Sequence, residues 1–199
     1  ATTEIYTLSL HGRSSDLVLR QETEEIEQDY PVKELIANMF ETMYQASGVG
    51  LAAPQIGKAI RVFIVDGSPF ADSDDMDEKE KKELEKFKKV FINPIILEES
   101  GKEWAFEEGC LSIPGVNADV TRKETVLIEY YNEKWELVEE TYSGLAARII
   151  QHEYDHIEGI LFTDLVSPLK KKFLAKKLSK IAAGDVSANY KMKFVKRKR

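Results

Sequence analysis

Hydrophobic positions recur along the chain at two distinct spacings. Val32, Leu35, Ile36, Met39, Phe40 and Met43 fall three and four residues apart, which predicts an amphipathic helix over 32–46, opening after Asp29-Tyr30-Pro31 and ending near Ser47-Gly48. The next ten residues, GVGLAAPQIG, hold three glycines and a proline and predict a tight loop or short strand. IRVFIVD (60–66), VFINPIIL (90–97), TVLIEYYN (125–132) and WELVEETY (135–142) are rich in β-branched and aromatic residues and predict strands. The last two meet at Asn132-Glu133-Lys134, short enough for a hairpin, so part of the sheet is expected to be antiparallel. Helical spacing returns in SGLAARIIQHEYDHIEG, where Ser143 is a candidate cap and Gly159 a stop signal. Leu145, Ile149, His152 and His156 share one face of that helix. A final helix over 168–183 carries Leu169, Phe173, Leu174, Leu178 and Ile181 on one side and lysines on the other.

One stretch has little apolar pattern. Residues 71–89, ADSDDMDEKEKKELEKFKK, contain eight acids and six lysines and read as a solvated insertion. Glu78 with Lys82 and Glu85 with Lys89 stand at helical i, i+4 spacing, so partial helicity is expected there, without chemistry.

Composition sets the frame for these elements. A chain of 199 residues, 43% hydrophobic, is long enough to bury a core and is expected to form a single domain over 1–199. There is no apolar run of 18 residues and no basic-then-apolar leader, so no membrane association and a cytoplasmic location are expected. Charge is unevenly spread. Residues 170–199 hold twelve Lys or Arg against Asp185 alone, a net +11, which leaves −18 on the rest of a chain whose total is −7. Such a region, with its basic tail at 184–199, suits a polyanion such as RNA, the plainer reading being a solvated helix with a frayed basic end. Specific DNA binding is not expected.

The candidate chemistry lies in His152-Glu153-Tyr154-Asp155-His156. Two histidines four apart on a helix project one way and can share a cation, and the Glu beside the first can take a proton from metal-activated water. Only three histidines occur, and His11 is the one outside this pattern. Metallohydrolases with this pattern differ in their third ligand. The metzincin extension has its glycine, Gly159, but Phe162 replaces its last histidine, and no Glu occurs after Glu158. Asp164 and Asp185 are the downstream carboxylates, neither within a supporting motif. Upstream, the single cysteine lies in EEGCLSIPG (107–115). A lone cysteine is ordinarily a small buried apolar group. Here the lack of a downstream ligand favours Cys110, whose thiolate with two imidazoles leaves one tetrahedral position for water. In GVGLAAPQIG, Gln55 offers an amide donor for an oxyanion, and Gly48 and Gly50 allow the main chain close to an extended substrate.

Taken together, GVGLAAPQ at 48–55, EGCLS at 108–112 and QHEYDH at 151–156 resemble, in order and separation, the three signature motifs of the peptide deformylase family. The resemblance runs from about residue 32 to the LVSPL stretch at 165–169. It implies an α+β fold of antiparallel β-sheets around a central helix bearing the histidines, with a C-terminal helix. It implies removal of the formyl group from N-terminal N-formylmethionine of newly synthesised proteins, with Cys110, His152 and His156 binding one Fe(II) per chain, for which Zn, Ni or Co can substitute. In the implied mechanism metal-bound hydroxide attacks the formyl carbon, Glu153 acts as general base and then acid, and Gln55 with the backbone N–H of Leu111 holds the oxyanion. Val49, Leu145 and Ile149 would line the methionine pocket and Gly50 would contact substrate backbone. The family's use of its C-terminal helix for docking implies a ribosome contact through the basic C-terminal region. The sequence departs from the family in GRSSDLVLR (12–20), which lacks the usual proline, in the long 71–89 insertion, and at Asn117, where some relatives carry an arginine. Two other readings fit the histidine pattern: a zinc peptidase with Asp164 as third ligand, and a silent metal-binding or ribosome-associated protein, for which Glu153 and Gln55 would be superfluous.

Overall fold

The computed structural model describes residues 3–7, 18–71 and 76–194. His11, most of the GRSSDLVLR segment, part of the charged insertion and the last five residues of the basic tail lie outside the described residues. Five strands form one antiparallel sheet in the order β2 (Gly50–Ala52), β3 (Val62–Asp66), β4 (Lys88–Cys110), β5 (Ile113–Tyr131) and β6 (Leu137–Ser143). Helix α1 (Val32–Gln45) packs on β2 and β3, while α3 (Gly144–Ile157) packs against β2, β3, β5 and β6. Helix α2 (Glu78–Glu85) lies between β3 and β4, and the short α4 (Phe162–Leu165) leads into the C-terminal α5 (Pro168–Ala182). This is the expected α+β fold, with the histidine-bearing helix against the sheet. Among the described residues no helix is long and apolar enough to cross a membrane.

The expected strand at 90–97 is the first third of β4, which runs on to Cys110 through several register shifts. The first explains how a strand can contain Asn93-Pro94. Proline has no N–H for a ladder, so it needs a bulge. Asn93 takes φ +48° at that point, and its amide bonds the Ile26 main chain on both sides, accepting from N–H at 3.0 Å and donating to C=O at 2.8 Å. Beyond it, β4 and β5 form a long hairpin in which Cys110 pairs with Ile113, leaving Leu111 and Ser112 at the apex. Alternation along this hairpin sends Phe106, Glu108 and Cys110 inward from β4, and Val116, Ala118, Val120 and Arg122 inward from β5.

The caps of α3 divide. Gly159 adopts φ +71° just beyond the helix, as a stop glycine should. Ser143 sits extended at the N-cap position, but its hydroxyl makes no cap. It bonds Thr125 Oγ1 across the β5–β6 ladder at 3.2 Å instead, because it is also the last residue of β6.

Two charged regions differ from the sequence expectation. In the insertion, Asp77 caps α2 by accepting from the N–H groups of Lys79 and Glu80, and the observed ion pairs are Lys79 with Glu83 and Lys81 with Glu78. Lys89 belongs to β4 and pairs with Glu140 of β6. Leu84 and Phe87 are buried in the core, 2% and 5% exposed, so the insertion is tied down at its C-terminal end. In the tail, residues 184–194 are not a frayed end. The chain turns back after α5, and β7 (Met192–Lys193) pairs in parallel with β1 (Ile5–Tyr6).

Because Leu84 supplies that anchor, Leu84→Ala should lower unfolding free energy by about 2–5 kcal/mol, read from denaturant midpoints, while Glu83→Ala should change it by less than about 0.5 kcal/mol. An unaltered midpoint for Leu84→Ala would show the insertion to be free of the core.

Candidate active site

Three segments distant in sequence meet at one cavity of about 690 Å³. Gly48, Val49 and Gly50 come from the turn and edge strand after α1 and Gln55 from the 3-10 turn that follows, Cys110 and Leu111 from the β4–β5 apex, and Leu145, Ile149, His152 and Glu153 from α3. His156 is 1% exposed and lies behind this lining, one helical turn from His152.

Cys110, His152 and His156 each offer one ligand atom, all within 4.8 Å of one another. Cys110 Sγ is 3.2 Å from His156 Nε2, and the two imidazoles stand nearly perpendicular at 82° with centroids 5.2 Å apart. A thiolate and two imidazoles at such spacing suit a tetrahedral divalent cation with one open position. Neither downstream carboxylate joins them. Asp164 pairs with Arg20, with one contact at 3.2 Å, and accepts the Leu161 N–H, and Asp185 pairs with Lys180. Phe162, where a metzincin would carry its last histidine, is buried with its ring stacked 6.1 Å from that of His152.

The orientation of His152 comes from Glu108, which the sequence reading did not single out. His152 Nδ1 is 2.8 Å from Glu108 Oε2, which makes Nδ1 the donor and leaves Nε2 for a cation. Glu108 also accepts from Arg122 at 2.7 and 3.0 Å and from Arg148 at 2.9 Å. Burial would raise its pKa, yet the hydrogen bonds from His152 and Arg122 hold it well below the usual carboxylate range. Burial likewise opposes charge on His152, but Cys110 and Glu108 keep its pKa well above the ordinary histidine value. Burial and the neighbouring His152 push His156 the other way, well below it. Arg122 also pairs with Asp155 at 2.7 Å, so Asp155, inside the HEYDH motif, fastens α3 to β5.

Glu153 is buried, and Oε2 has no hydrogen-bond partner. Burial pushes its carboxyl up to about 7, where it can gain or lose a proton near neutrality. It lies directly over β2: a Cβ on Gly50 would stand 2.7 Å from Glu153 Cδ, so any side chain there would push that buried carboxylate aside. Gln55 is 1% exposed and fixed at both ends of its amide. Its Oε1 accepts the Ala52 N–H at 2.8 Å, which turns Nε2 toward Ser112 Oγ at 3.3 Å and Cys110 Sγ at 3.6 Å. Val49, Leu145 and Ile149 form an apolar side of the cavity with Phe106. Asn117, at the position where some relatives carry an arginine, lines the cavity and donates to Glu107 at 3.4 Å.

Every site residue expected from the sequence thus reaches this one locality. Those missed are Glu108, Arg122 and Arg148, and residues 187–190 of the returning tail, which complete the cavity wall.

Comparison with known proteins gives the same assignment. The profile of the family described as Polypeptide deformylase matches residues 11–172. A peptide deformylase of Christiangramia forsetii is 58% identical over 180 residues, covering 90% of this chain and 92% of the relative. That of Flavobacterium psychrophilum is 56% identical over 185 residues, covering 92% and 95%. Among solved structures, a peptide deformylase from Legionella pneumophila superposes with a TM-score of 0.73 at 38% identity, covering 93% of this chain and 98% of that one. By motif, by sequence and by fold, the chain belongs to the polypeptide deformylase family.

Proposed function

We propose that this enzyme hydrolyses the formyl group from N-terminal N-formylmethionine of newly synthesised proteins, with Cys110, His152 and His156 holding one Fe(II) and Glu153 carrying the proton. The observation that carries this reading is the convergence of those three ligand atoms within 4.8 Å beside a buried carboxylate with a free oxygen and an oriented amide donor. When bound, a divalent cation supplies Lewis-acid chemistry: it makes water acidic near neutral pH and polarises a carbonyl. A cysteine ligand suits Fe(II) and also admits Zn, Ni or Co.

The chain's own residues do the rest. Glu153 Oε2, buried without a partner, accepts the proton of the attacking water and returns it to the departing amine, so that one formyl C–N bond is exchanged for a C–O bond and formate leaves. Gln55 Nε2 donates to the oxygen that becomes negative in the transition state, giving up one of its long contacts to Ser112 and Cys110 while its carbonyl end stays fixed by the Ala52 N–H. The Leu111 N–H at the hairpin apex is the second donor. The methionine side chain enters among Val49, Leu145 and Ile149, while Gly50 leaves its main chain open to the peptide backbone. Nascent peptides place the substrate in the cytoplasm, at the ribosome. The exposed lysines of α5, with Leu169 and Phe173 outward among them at 64% and 74% exposure, favour α5 itself as the ribosome contact.

Protein loaded with Fe(II) under anaerobic conditions should release formate stoichiometrically from formyl-Met-Ala-Ser. Cleavage of internal peptide bonds without formate would instead indicate a peptidase. A panel of variants separates the roles. Cys110→Ala should lose both metal and activity, Glu153→Ala should keep the metal and lose activity, and Gln55→Ala should keep the metal while kcat falls by about 100-fold to 1,000-fold. Metal retained by Cys110→Ala in elemental analysis would move the third ligand elsewhere. For the docking surface, reversing Lys170, Lys171 and Lys172 to Glu should reduce cosedimentation with ribosomes at low salt by roughly 10-fold or more, and raising salt should do the same to the unaltered protein. Unchanged cosedimentation on charge reversal would exclude α5.

A further inference from the structure

The segment that returns after α5 has no part in the chemistry above, yet it forms one side of the cavity. The chain reverses at Gly184 (φ +81°), with Gly184 and Asp185 donating back to the carbonyls of Ile181 and Lys180. Ser187, Ala188, Asn189 and Tyr190 then line the same cavity as Cys110, Gln55 and Glu153. The segment is held from both directions. Beyond it, the Lys191 and Lys193 carbonyls accept the N–H groups of Ile5 and Thr7 at 3.0 and 3.1 Å in the parallel β1–β7 pair. Within it, the Tyr190 hydroxyl donates to the Leu111 carbonyl at 2.7 Å, 79 residues away at the hairpin apex. Burial pushes that phenol up to about 12, so it remains a donor at any physiological pH.

Its place relative to the methionine pocket follows from packing. Val49, Leu145, Ile149 and Phe106 belong to the apolar cluster around α3. Tyr190 packs on a different cluster, that of α1 with Ile5, Met39 and Met43. The returning segment therefore borders a part of the cavity that the first side chain does not fill, and a cavity of about 690 Å³ has the size of a ligand much larger than one side chain. Of the four returning residues only Ala188 lacks a polar side-chain atom, which suits an extended peptide whose amides need partners.

We propose that residues 187–190 form the wall that selects the two residues following methionine in the formylated peptide, with Tyr190 as the positioning residue that pins this wall to Leu111. The inference rests on the cavity taking a formylated peptide with its methionine among Val49, Leu145 and Ile149. Asn189 and Ser187 supply the polar contacts to the passing backbone. Tyr190 sets their distance from it, through one hydrogen bond and one packed ring.

The test compares the metal-loaded full-length protein with Tyr190→Phe and Tyr190→Ala on formyl-Met-amide, which lacks both following residues, and formyl-Met-Ala-Ser, which has both, following formate. In Tyr190→Phe the ring and its packing remain and only the hydrogen bond is lost. Its KM for the longer peptide should rise by roughly 2–10-fold more than its KM for the shorter one, with kcat moving equally for both. Tyr190→Ala should widen that difference. An equal loss on the two peptides, or no change in either variant, overturns the proposal. Absence of formate from the unaltered protein would instead reject the deformylase reading itself, and melting temperatures of the two variants separate loss of selection from loss of fold.

Discussion

The site depends on one buried carboxylate. Glu108, 5% exposed, receives Arg122 from β5, Arg148 and His152 from α3, and itself projects from β4 two residues before Cys110. Three elements therefore share a single anion, and two of the three metal-ligand candidates are fixed by it: His152 directly, and Cys110 through the strand that carries both. Such a cluster is poor as a source of net stability, because desolvating the charges offsets most of their attraction. Removing one member is another matter, since the remaining charges stay buried without a partner, at a cost of about 3–5 kcal/mol. The cluster is thus better understood as a register device. A one-residue slip of β5 against β4 would send Arg122 to the outer face and strand Glu108 inside.

That constraint explains why the glycine-rich segment has the form it does. With α3 tied to the β4–β5 hairpin through Glu108, and Arg122 also paired with Asp155, Glu153 is held against β2. The edge strand has to accommodate it, and Gly50 does so by having no side chain where Glu153 stands. Gln55 follows three residues after the strand ends, on a single 3-10 turn over Ala53–Ile56, and the Ala52 N–H orients it. The order of the three motifs in the sequence is unrelated to their geometry. What brings them together is the central helix, buried on almost every side between the sheet and the glycine-rich segment.

Much of this was legible in the sequence. The period-3.6 patterns located α1, α3 and α5 to within a residue or two; α1 and α3 present an apolar face to the sheet, whereas α5 packs only Leu174, Leu178 and Ile181 inward and leaves Leu169 and Phe173 exposed, against the single apolar side expected for it. The strands were found but cut short: β4 and β5 carry polar residues on their outer faces and bulges at Asn93-Pro94 and Ser100-Gly101, which interrupt the alternation that marks a strand. The candidate ligands and Glu153 were legible because His152, Glu153 and His156 are local to one helix and Cys110 is the single cysteine, its competitors Asp164 and Asp185 standing in no supporting motif. Glu108 and Arg122 were recoverable in principle. In WAFEEGC, period two puts Glu108 on the face of Phe106 and Cys110, and in VNADVTR it puts Arg122 in line with Val116, Ala118 and Val120. A charge at an inward position implies a partner of opposite sign. The role of the tail was not legible. Its basic composition describes a solvated segment, and nothing local shows that residue 190 will meet residue 111.

The tail also alters how the charge asymmetry bears on function. A net +11 over the last thirty residues reads as one electrostatic unit, but the structure divides it. The lysines of α5 stay exposed on a helix held to the body by Ile181, Leu178 and Leu174, and by Lys177 donating to the Gly115 carbonyl beside the cavity. Lys191 and Lys193 follow a segment committed to the cavity wall and sit in or beside the β1–β7 pair. Deleting the tail would therefore remove charge, a strand pairing and the Tyr190 hydrogen bond together, and no single effect could be assigned to any of them. Charge reversal on α5 and conservative substitution at Tyr190 act on the two parts separately, because the covalent connection between them at Gly184 carries neither the exposed lysines nor the cavity lining.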